Sequence, residues 1–354
     1  MRKELWKGNE AVAQAAIRAG CRYFFGYPIT PQNEIPEYMA SHLPEVGGCF
    51  LQSESEVAAI NMVYGAAGAG ARVMTSSSSP GISLKQEGIT YLVGSELPAV
   101  IVNAMRGGPG LGTIHPAQGD YFQATRGGGN GDYRTVVLAP NSVQEAAELT
   151  QEAFDIADQY RNPVMVLMDG MIGQMMEGMV WRDVPRRTLP PKDWATTGTQ
   201  GARGKNILNS WRNDGATLEQ HNLHLAKKWA AMAENEVRWE ERGTENAQLL
   251  FVAYGTPSRL ALGAMQELEA KGIRCGLLRP ITLWPFPEAR LRQLSSQSGL
   301  KGVFTVELSL GQMVEDVRLA VEGRCAVGFF GRAGGVVPTC SEVAAKALEF
   351  YEGR

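Results

Sequence analysis

Residues 71–105 read ARVMTSSSSPGISLKQEGITYLVGSELPAVIVNAM, and this stretch decides the fold class. Arg72–Thr75 reads as a strand, Ser76–Gly81 as a turn, Ile82–Val93 as a helix and Ala99–Ala104 as a second strand. The second strand is apolar at nearly every position instead of every other one. A strand patterned that way is covered on both faces, as in a parallel sheet flanked by helices. The alternation continues outward. Upstream, Asn9 is positioned to cap a helix through Ala19, with Gly20 closing it; Cys21–Gly26 is a strand and Glu54–Gly70 a helix rich in glycine and alanine. Downstream, Thr135–Ala139 and Pro163–Met168 are strands. Ser142 and Glu145 between them have the S-x-x-E spacing of a capping box, opening a helix to about Tyr160. Strands alternating with helices predict an α/β, doubly wound domain.

The alternation restarts near the end of the chain. Leu249–Tyr254, Arg274–Leu278, Val303–Val306 and Ala326–Phe330 read as strands, Pro257–Lys271 and Pro338–Tyr351 as helices. The intervening segment changes character: Trp181, Trp194, Trp211, Trp229 and Trp239 fall among proline, glycine and charge, with a helix expected over Thr217–Arg242. The expected organisation is therefore a domain over 1–180, a Trp-rich arm and linker helix over 181–246, and a smaller α/β domain over 247–354. A chain of 354 residues suits two or three domains.

Composition narrows the function. The chain is 44% hydrophobic and 20% charged with a formal net charge of -3, which excludes a disordered chain and argues against nucleic-acid binding. The opening MRKELWKGNEAVAQ lacks the apolar core of a signal peptide, and no apolar run is long enough for a membrane span. Cys21, Cys49, Cys275, Cys325 and Cys340 are scattered with no CxxC pair. They read as reduced thiols of a cytoplasmic protein, and they predict no metal site and no iron–sulphur cluster held by this chain alone.

Several familiar patterns do not complete. Gly204-Lys205 is followed by Asn206, where a P-loop needs Ser or Thr. Gly127–Gly131 lacks the strand-then-helix setting of a dinucleotide fingerprint. His221 and His224 share a predicted helix, but no third ligand is in view, so an exposed polar face is expected. Two segments carry more. In Tyr27-Pro28-Ile29-Thr30-Pro31, Thr30 offers a hydroxyl at the end of a strand; it also suits a helix N-cap with Pro31 at the first helical position. In Gln52-Ser53-Glu54-Ser55-Glu56-Val57, carboxylates meet the positive end of a helix. The aperiodic stretch between Arg106 and Arg134 has the length of a functional loop.

Taken as a set, YPITP, QSESE with VAAINMVYGAAGAGA, SSSSPGISL and VIVNAMRGGPG resemble the α subunit of the 2-oxoacid:ferredoxin oxidoreductases, most closely the 3-methyl-2-oxobutanoate (branched-chain) type, with 2-oxoglutarate enzymes close by. The resemblance implies a pyrimidine-type thiamine-binding domain followed by a transketolase-C-like domain. It implies oxidative decarboxylation of a 2-oxoacid with coenzyme A to acyl-CoA, CO2 and reduced ferredoxin. It assigns Glu56 as the glutamate that hydrogen-bonds N1′ of thiamine diphosphate; the nine-residue interval to Gly65 selects it over Glu54. Thr30 and Arg106 are assigned to the substrate, and Pro28, Ile29 and Gly65 to the cofactor. A guanidinium fork suits the planar carboxylate of a 2-oxoacid. Met168-Asp169-Gly170 lacks the first Gly and the Asn of the GDG…N diphosphate signature. Mg²⁺ and the diphosphate half-site are therefore expected on a β subunit, and the iron–sulphur clusters on γ and δ subunits. A 2-oxoglutarate enzyme, a non-oxidative thiamine decarboxylase and a non-catalytic assembly subunit are the competing readings. Lys85 departs from the apolar residue expected in the family at that position, and is expected on the solvated outer face of its helix.

Overall fold

A computed structural model describes residues 3–182, 184–199 and 201–353; the edges of the sequence-based reading at Met1, Arg2 and Arg354 lie outside them. The strands are β1 (Glu4–Lys7), β2 (Tyr23–Gly26), β3 (Cys49–Gln52), β4 (Val73–Ser77), β5 (Ala99–Met105), β6 (Val136–Leu138), β7 (Pro163–Asp169), β8 (Met176–Met179), β9 (Trp239–Arg242), β10 (Leu249–Val252), β11 (Cys275–Pro280), β12 (Thr282–Trp284), β13 (Gly302–Glu307) and β14 (Ala326–Gly331). The helices are α1 (Gly8–Arg18), α2 (Glu34–His42), α3 (Glu56–Gly68), α4 (Ser79–Gly94), α5 (Tyr121–Arg126), α6 (Val143–Tyr160), α7 (Gly170–Gln174), α8 (Gly215–Glu236), α9 (Gly255–Glu269), α10 (Glu288–Ser295), α11 (Met313–Val321) and α12 (Cys340–Glu352).

A seven-stranded sheet runs β12-β6-β7-β5-β4-β2-β3, parallel except for β12, and a five-stranded sheet runs β14-β13-β10-β11-β9, parallel except for β9. The continuous apolar run of β5 has the consequence its pattern predicts. Ala99, Ile101 and Met105 join one buried cluster while Val100, Val102 and Ala104 join another on the opposite face. The first cluster reaches across to Leu250, Val252, Leu278 and Val317, so the two sheets share a core. In the large sheet, β2 leads to β3 on one side, and the chain then returns to β4 on the other. The strand order thus reverses between β2 and β4, and the crevice beyond their carboxyl ends is where such sheets bind ligands.

Several expected boundaries move. Asn9 does not cap α1, which Lys7 precedes; it is buried, and its amide donates to Pro31 O (2.7 Å) and Glu34 Oε2 (2.6 Å). The expected turn Ser76–Gly81 is shorter, because Ser76 and Ser77 finish β4 and α4 starts at Ser79. Thr30 and Pro31 do not open a helix; α2 begins at Glu34 after Asn33. The expected helix Thr217–Arg242 stops at Glu236, and Trp239–Arg242 becomes β9 on the edge of the smaller sheet. In the other direction, β12 leaves the C-terminal half to close the edge of the large sheet against β6. His221 Nε2–H donates to Gly94 O and His224 Nε2–H to the Glu96 carboxylate, so α8 uses this pair to seat itself on the end of α4 and the turn after it; His221 is partly buried there.

Asp169 ties the two halves together. It is wholly buried at the end of β7, where it takes Thr256 N–H (2.8 Å), the Thr256 hydroxyl (2.6 Å) and Ile172 N–H (3.3 Å). Burial raises its pKa above the usual carboxylate range despite these donors. Asp169→Ala leaves at least two buried donors unanswered and is expected to destabilise the protein by about 3 kcal/mol or more; urea denaturation of the purified protein measures it, and a loss below about 1 kcal/mol contradicts this role.

Candidate active site

The site is assembled around the first turn of α4, at the switch point. β4 ends at Ser77 and α4 begins two residues later, with Pro80 in its first turn. Gly81 is essential to this fit. A Cβ there would lie 2.0 Å from Ser77 Oγ and 2.6 Å from Glu56 Oε1, closer than any real contact, so only glycine lets the helix approach the carboxylate.

Glu56 is the first residue of α3. Ser55 caps that helix, its hydroxyl accepting Ala58 N–H at 3.2 Å. Ser53 N–H bonds Gly26 O (3.0 Å), pinning the entry to the end of β2. Glu56 is 6% exposed whereas Glu54 is exposed on the surface. Among the described residues no hydrogen-bond donor reaches the Glu56 carboxylate. A buried carboxylate accepts strongly and is costly to leave without a donor, so this one is open to a donor from outside the chain.

Arg106 follows the last residue of β5. The Ser79 hydroxyl accepts Arg106 N–H (3.0 Å) and donates to Asp120 Oδ2 (2.6 Å). Asn103 Nδ2 donates to the same oxygen (2.9 Å), and Ser79 N–H reaches Asn103 Oδ1 (3.2 Å). Burial raises the Asp120 pKa, with the Ser79 and Asn103 bonds opposing. The Arg106 guanidinium donates to Thr30 O (3.0 Å) and Leu111 O (3.0 Å). Its Nε is buried without a partner, and no carboxylate of the described residues forms an ion pair with it. A guanidinium has five N–H donors, so Arg106 is oriented by two loops with donors to spare.

Thr30 follows β2. Its hydroxyl is reached by Asn33 Nδ2 at 3.4 Å, and its loop is held on β4 by Gln32, whose side-chain oxygen accepts the Ser76 hydroxyl. Beside it opens a groove of about 490 Å³ lined also by Asn33, His115, Pro116 and Gln174. Pro28 is exposed and Ile29 half-buried in the same loop. Thr30, Glu56 and Arg106 are thus brought to one end of the sheet, around the start of α4. Gly65 is not. Nine residues on from Glu56 it occupies the opposite side of a helix with 3.6 residues per turn, it is exposed, and a Cβ there would meet nothing within 4 Å. The glycines at 128 and 129 pack against Gln86 and Thr90 of α4, which accounts for the glycine-rich run.

Two features escape the sequence reading. One is the Ser79–Asn103–Asp120 network, whose members are far apart in the chain. The other is Lys85, expected in solvent but 0% exposed. Its position in the stripe Ile82, Lys85, Ile89, Leu92, at helical spacing, was the available signal. Among the described residues no group of three or more His, Cys, Asp and Glu is placed to hold a metal, and no helix is long and apolar enough to cross a membrane.

Residues 14–200 match the family model described as pyruvate flavodoxin/ferredoxin oxidoreductase, thiamine diphosphate-binding, and residues 247–343 match pyruvate:ferredoxin oxidoreductase core domain II. The chain is 51% identical to a ketoisovalerate oxidoreductase subunit VorB of Methanothermobacter thermautotrophicus, over 99% of this chain and 98% of that one. It is 40% identical to a 2-oxoglutarate synthase subunit KorA of Archaeoglobus fulgidus, over 94% and 95% of the two chains. A solved structure, the 2-oxoglutarate:ferredoxin oxidoreductase from Magnetococcus marinus with 2-oxoglutarate, coenzyme A and succinyl-CoA bound, superimposes with a TM-score of 0.86 at 26% identity; the match covers 99% of this chain and 65% of that chain.

The geometry makes Ser79 the support of Arg106. Ser79→Ala removes the acceptor of Arg106 N–H and one of two donors to the half-buried Asp120. It is expected to cost about 1–3 kcal/mol, against less than about 0.5 kcal/mol for Ser83→Ala one turn on. Chemical denaturation of both variants is the measurement; equal costs contradict the network.

Proposed function

This chain belongs to the thiamine-diphosphate-binding pyruvate flavodoxin/ferredoxin oxidoreductase family, and from that premise we propose that it is the α subunit of a coenzyme-A-acylating oxidoreductase whose preferred substrate is 3-methyl-2-oxobutanoate. The reaction is oxidative decarboxylation: 2-oxoacid and coenzyme A give acyl-CoA and CO2, and two electrons pass to ferredoxin. The substrate reading is carried by the end-to-end identity of 51% with the ketoisovalerate subunit, against 40% with the 2-oxoglutarate synthase subunit. The diphosphate and Mg²⁺ half-site belongs to a β subunit and the iron–sulphur clusters to γ and δ subunits. A cytoplasmic setting fits the five unpaired cysteines.

Bound thiamine diphosphate supplies the carbanion chemistry by which a 2-oxoacid loses CO2. This chain contributes the aminopyrimidine side of the site. The Glu56 carboxylate fits N1′: it is buried, it has no donor of its own, and Gly81 leaves room beside it. A carboxylate there would hold a proton at N1′ of the bound aminopyrimidine, the acid–base role that Glu56 would supply. Arg106 offers Nε and its unused N–H groups to the substrate carboxylate, and the Thr30 hydroxyl offers a further bond from the neighbouring loop. Pro28 and Ile29 shape the wall beside them. Every 2-oxoacid has the carboxylate that Arg106 reads, so choice among substrates comes from what surrounds the side chain.

Glu56→Gln is expected to assemble normally and to slow deuterium exchange at thiamine C2 in the complex by about 10²–10⁴-fold, with Glu54→Gln near wild type. The reverse pattern makes Glu54 the acting residue. For the substrate, steady-state kcat/KM of the purified complex, with a viologen dye as acceptor, is expected to favour 3-methyl-2-oxobutanoate over 2-oxoglutarate by about tenfold or more. A preference for 2-oxoglutarate overturns the substrate reading and favours Lys85, the buried cation that a distal carboxylate would need.

A further inference from the structure

The seam between α3 and α4 holds a charge that the reaction as described leaves unused. Gly81 and Gly88 of α4 both face α3: a Cβ at Gly81 would come 2.6 Å from Glu56 Oε1, and one at Gly88 would come 2.5 Å from Ile60 Cγ2. Lys85 lies four residues after the first and three before the second. Residues so spaced share one helix face, so Lys85 emerges toward α3 between the levels of Glu56 and Ile60. Its side chain is wholly buried, and no acceptor among the described residues reaches Nζ. An ammonium brings three donors, and burying it without partners is costly.

Of the charges around α4, Glu56 is the one that acts on it; Asp120 and Arg106, at the first turn of α4, are engaged by Ser79 and Asn103 and by Thr30 O and Leu111 O. β4 and β5, beside α4, contain no titratable side chain. Asp169 at the end of β7 is engaged by Thr256. Glu87 of α4 is exposed and takes the Tyr91 hydroxyl, Asp132 is exposed, and Tyr133 donates to Gln86. Burial pushes the Lys85 amine down to about 8, and the charge of Glu56 pulls it back up.

We infer that Lys85 is a positioning residue that acts through Glu56: its buried ammonium is the internal counter-ion that restrains the basicity of this carboxylate toward N1′. This rests on the role proposed above for Glu56. A neighbouring cation disfavours protonation of a carboxylate. While Lys85 is charged, Glu56 holds the N1′ proton less well. When Lys85 gives its proton to solvent, the carboxylate charge is unanswered and that restraint ends. No bond to carbon changes.

The test is deuterium exchange at thiamine C2 in the assembled complex between pH 6.5 and 9.5, in ~0.5-unit steps that bracket the Lys85 ionisation near 8. Taking the ratio of Lys85→Met to wild type cancels the pH dependence common to both. The ratio is expected to be about tenfold below pH 7.5 and to fall toward one above pH 9. Lys85→Gln serves the same purpose if the methionine variant does not assemble. A ratio flat with pH overturns the inference. A second readout needs no cofactor. The folded amine loses its proton near pH 8 while the unfolded one keeps it to about 10.5, so the cost of burying it declines as pH rises through that window. The urea midpoint of the complex relative to Lys85→Met should rise between these values; no change overturns the burial of the charge. Glu56→Gln separates the two readings. Slowed exchange in Glu56→Gln with a flat Lys85→Met ratio removes Lys85 alone, and unchanged exchange in Glu56→Gln removes both.

Discussion

The Ser79 hydroxyl is the joint on which the candidate site depends. It sits where the large sheet reverses its strand order, and it binds the main chain of Arg106 on one side and the Asp120 carboxylate on the other. That pair of bonds locks the start of α4 to the end of β5. With α4 fixed, Gly81 sets how near the helix can come to Glu56, and Lys85 follows one turn later in the same seam. The end of β2 is drawn in by a separate tie from Gln32 to Ser76. Three carboxyl ends of parallel strands thus deliver one side chain each to a common place, which is what an open α/β sheet offers at a switch point.

Several buried polar atoms without partners lie there as well. Among the described residues, Thr75 Oγ1, Ser77 Oγ, Ser78 Oγ, Lys85 Nζ and Arg106 Nε are buried without partners and the Glu56 carboxylate has no donor. Native interiors tolerate few such atoms. Five of them lie at this sheet end, whereas in an ordinary core the same serines would be paired or replaced. It also fits a chain that supplies one side of a site and leaves the other to a partner.

Much of this was legible in the sequence where the signal was local. The unbroken apolar run Ala99–Ala104 predicts a strand covered on both faces, and β5 divides its side chains between two clusters. Ser142 does accept Glu145 N–H at the start of α6. The acidic start of α3 was legible too, though which glutamate is buried rests on the helix beginning at Glu56. What failed depended on distant partners. The serines of 76–77 resemble a turn because their composition is polar, yet they finish a buried strand between β2 and β5. Asn9 has the composition of a cap, but Glu34 and Pro31 claim its amide. β9 is the charged tetrapeptide WEER on a sheet edge, where no apolar pattern marks a strand. The charge of Lys85 suggests solvent, whereas its place in an apolar stripe points inward. The nine-residue spacing from Glu56 turns Gly65 to the far side of the helix.

The measurement that bears most directly on the central claim is a structure of the assembled complex with thiamine diphosphate and a non-reacting 2-oxoacid analogue. A Glu56 carboxylate oxygen is expected within about 2.6–3.2 Å of N1′, with the Arg106 guanidinium on the analogue's carboxylate. An N1′ met by another residue, with the Glu56 carboxylate still lacking a donor, would contradict it.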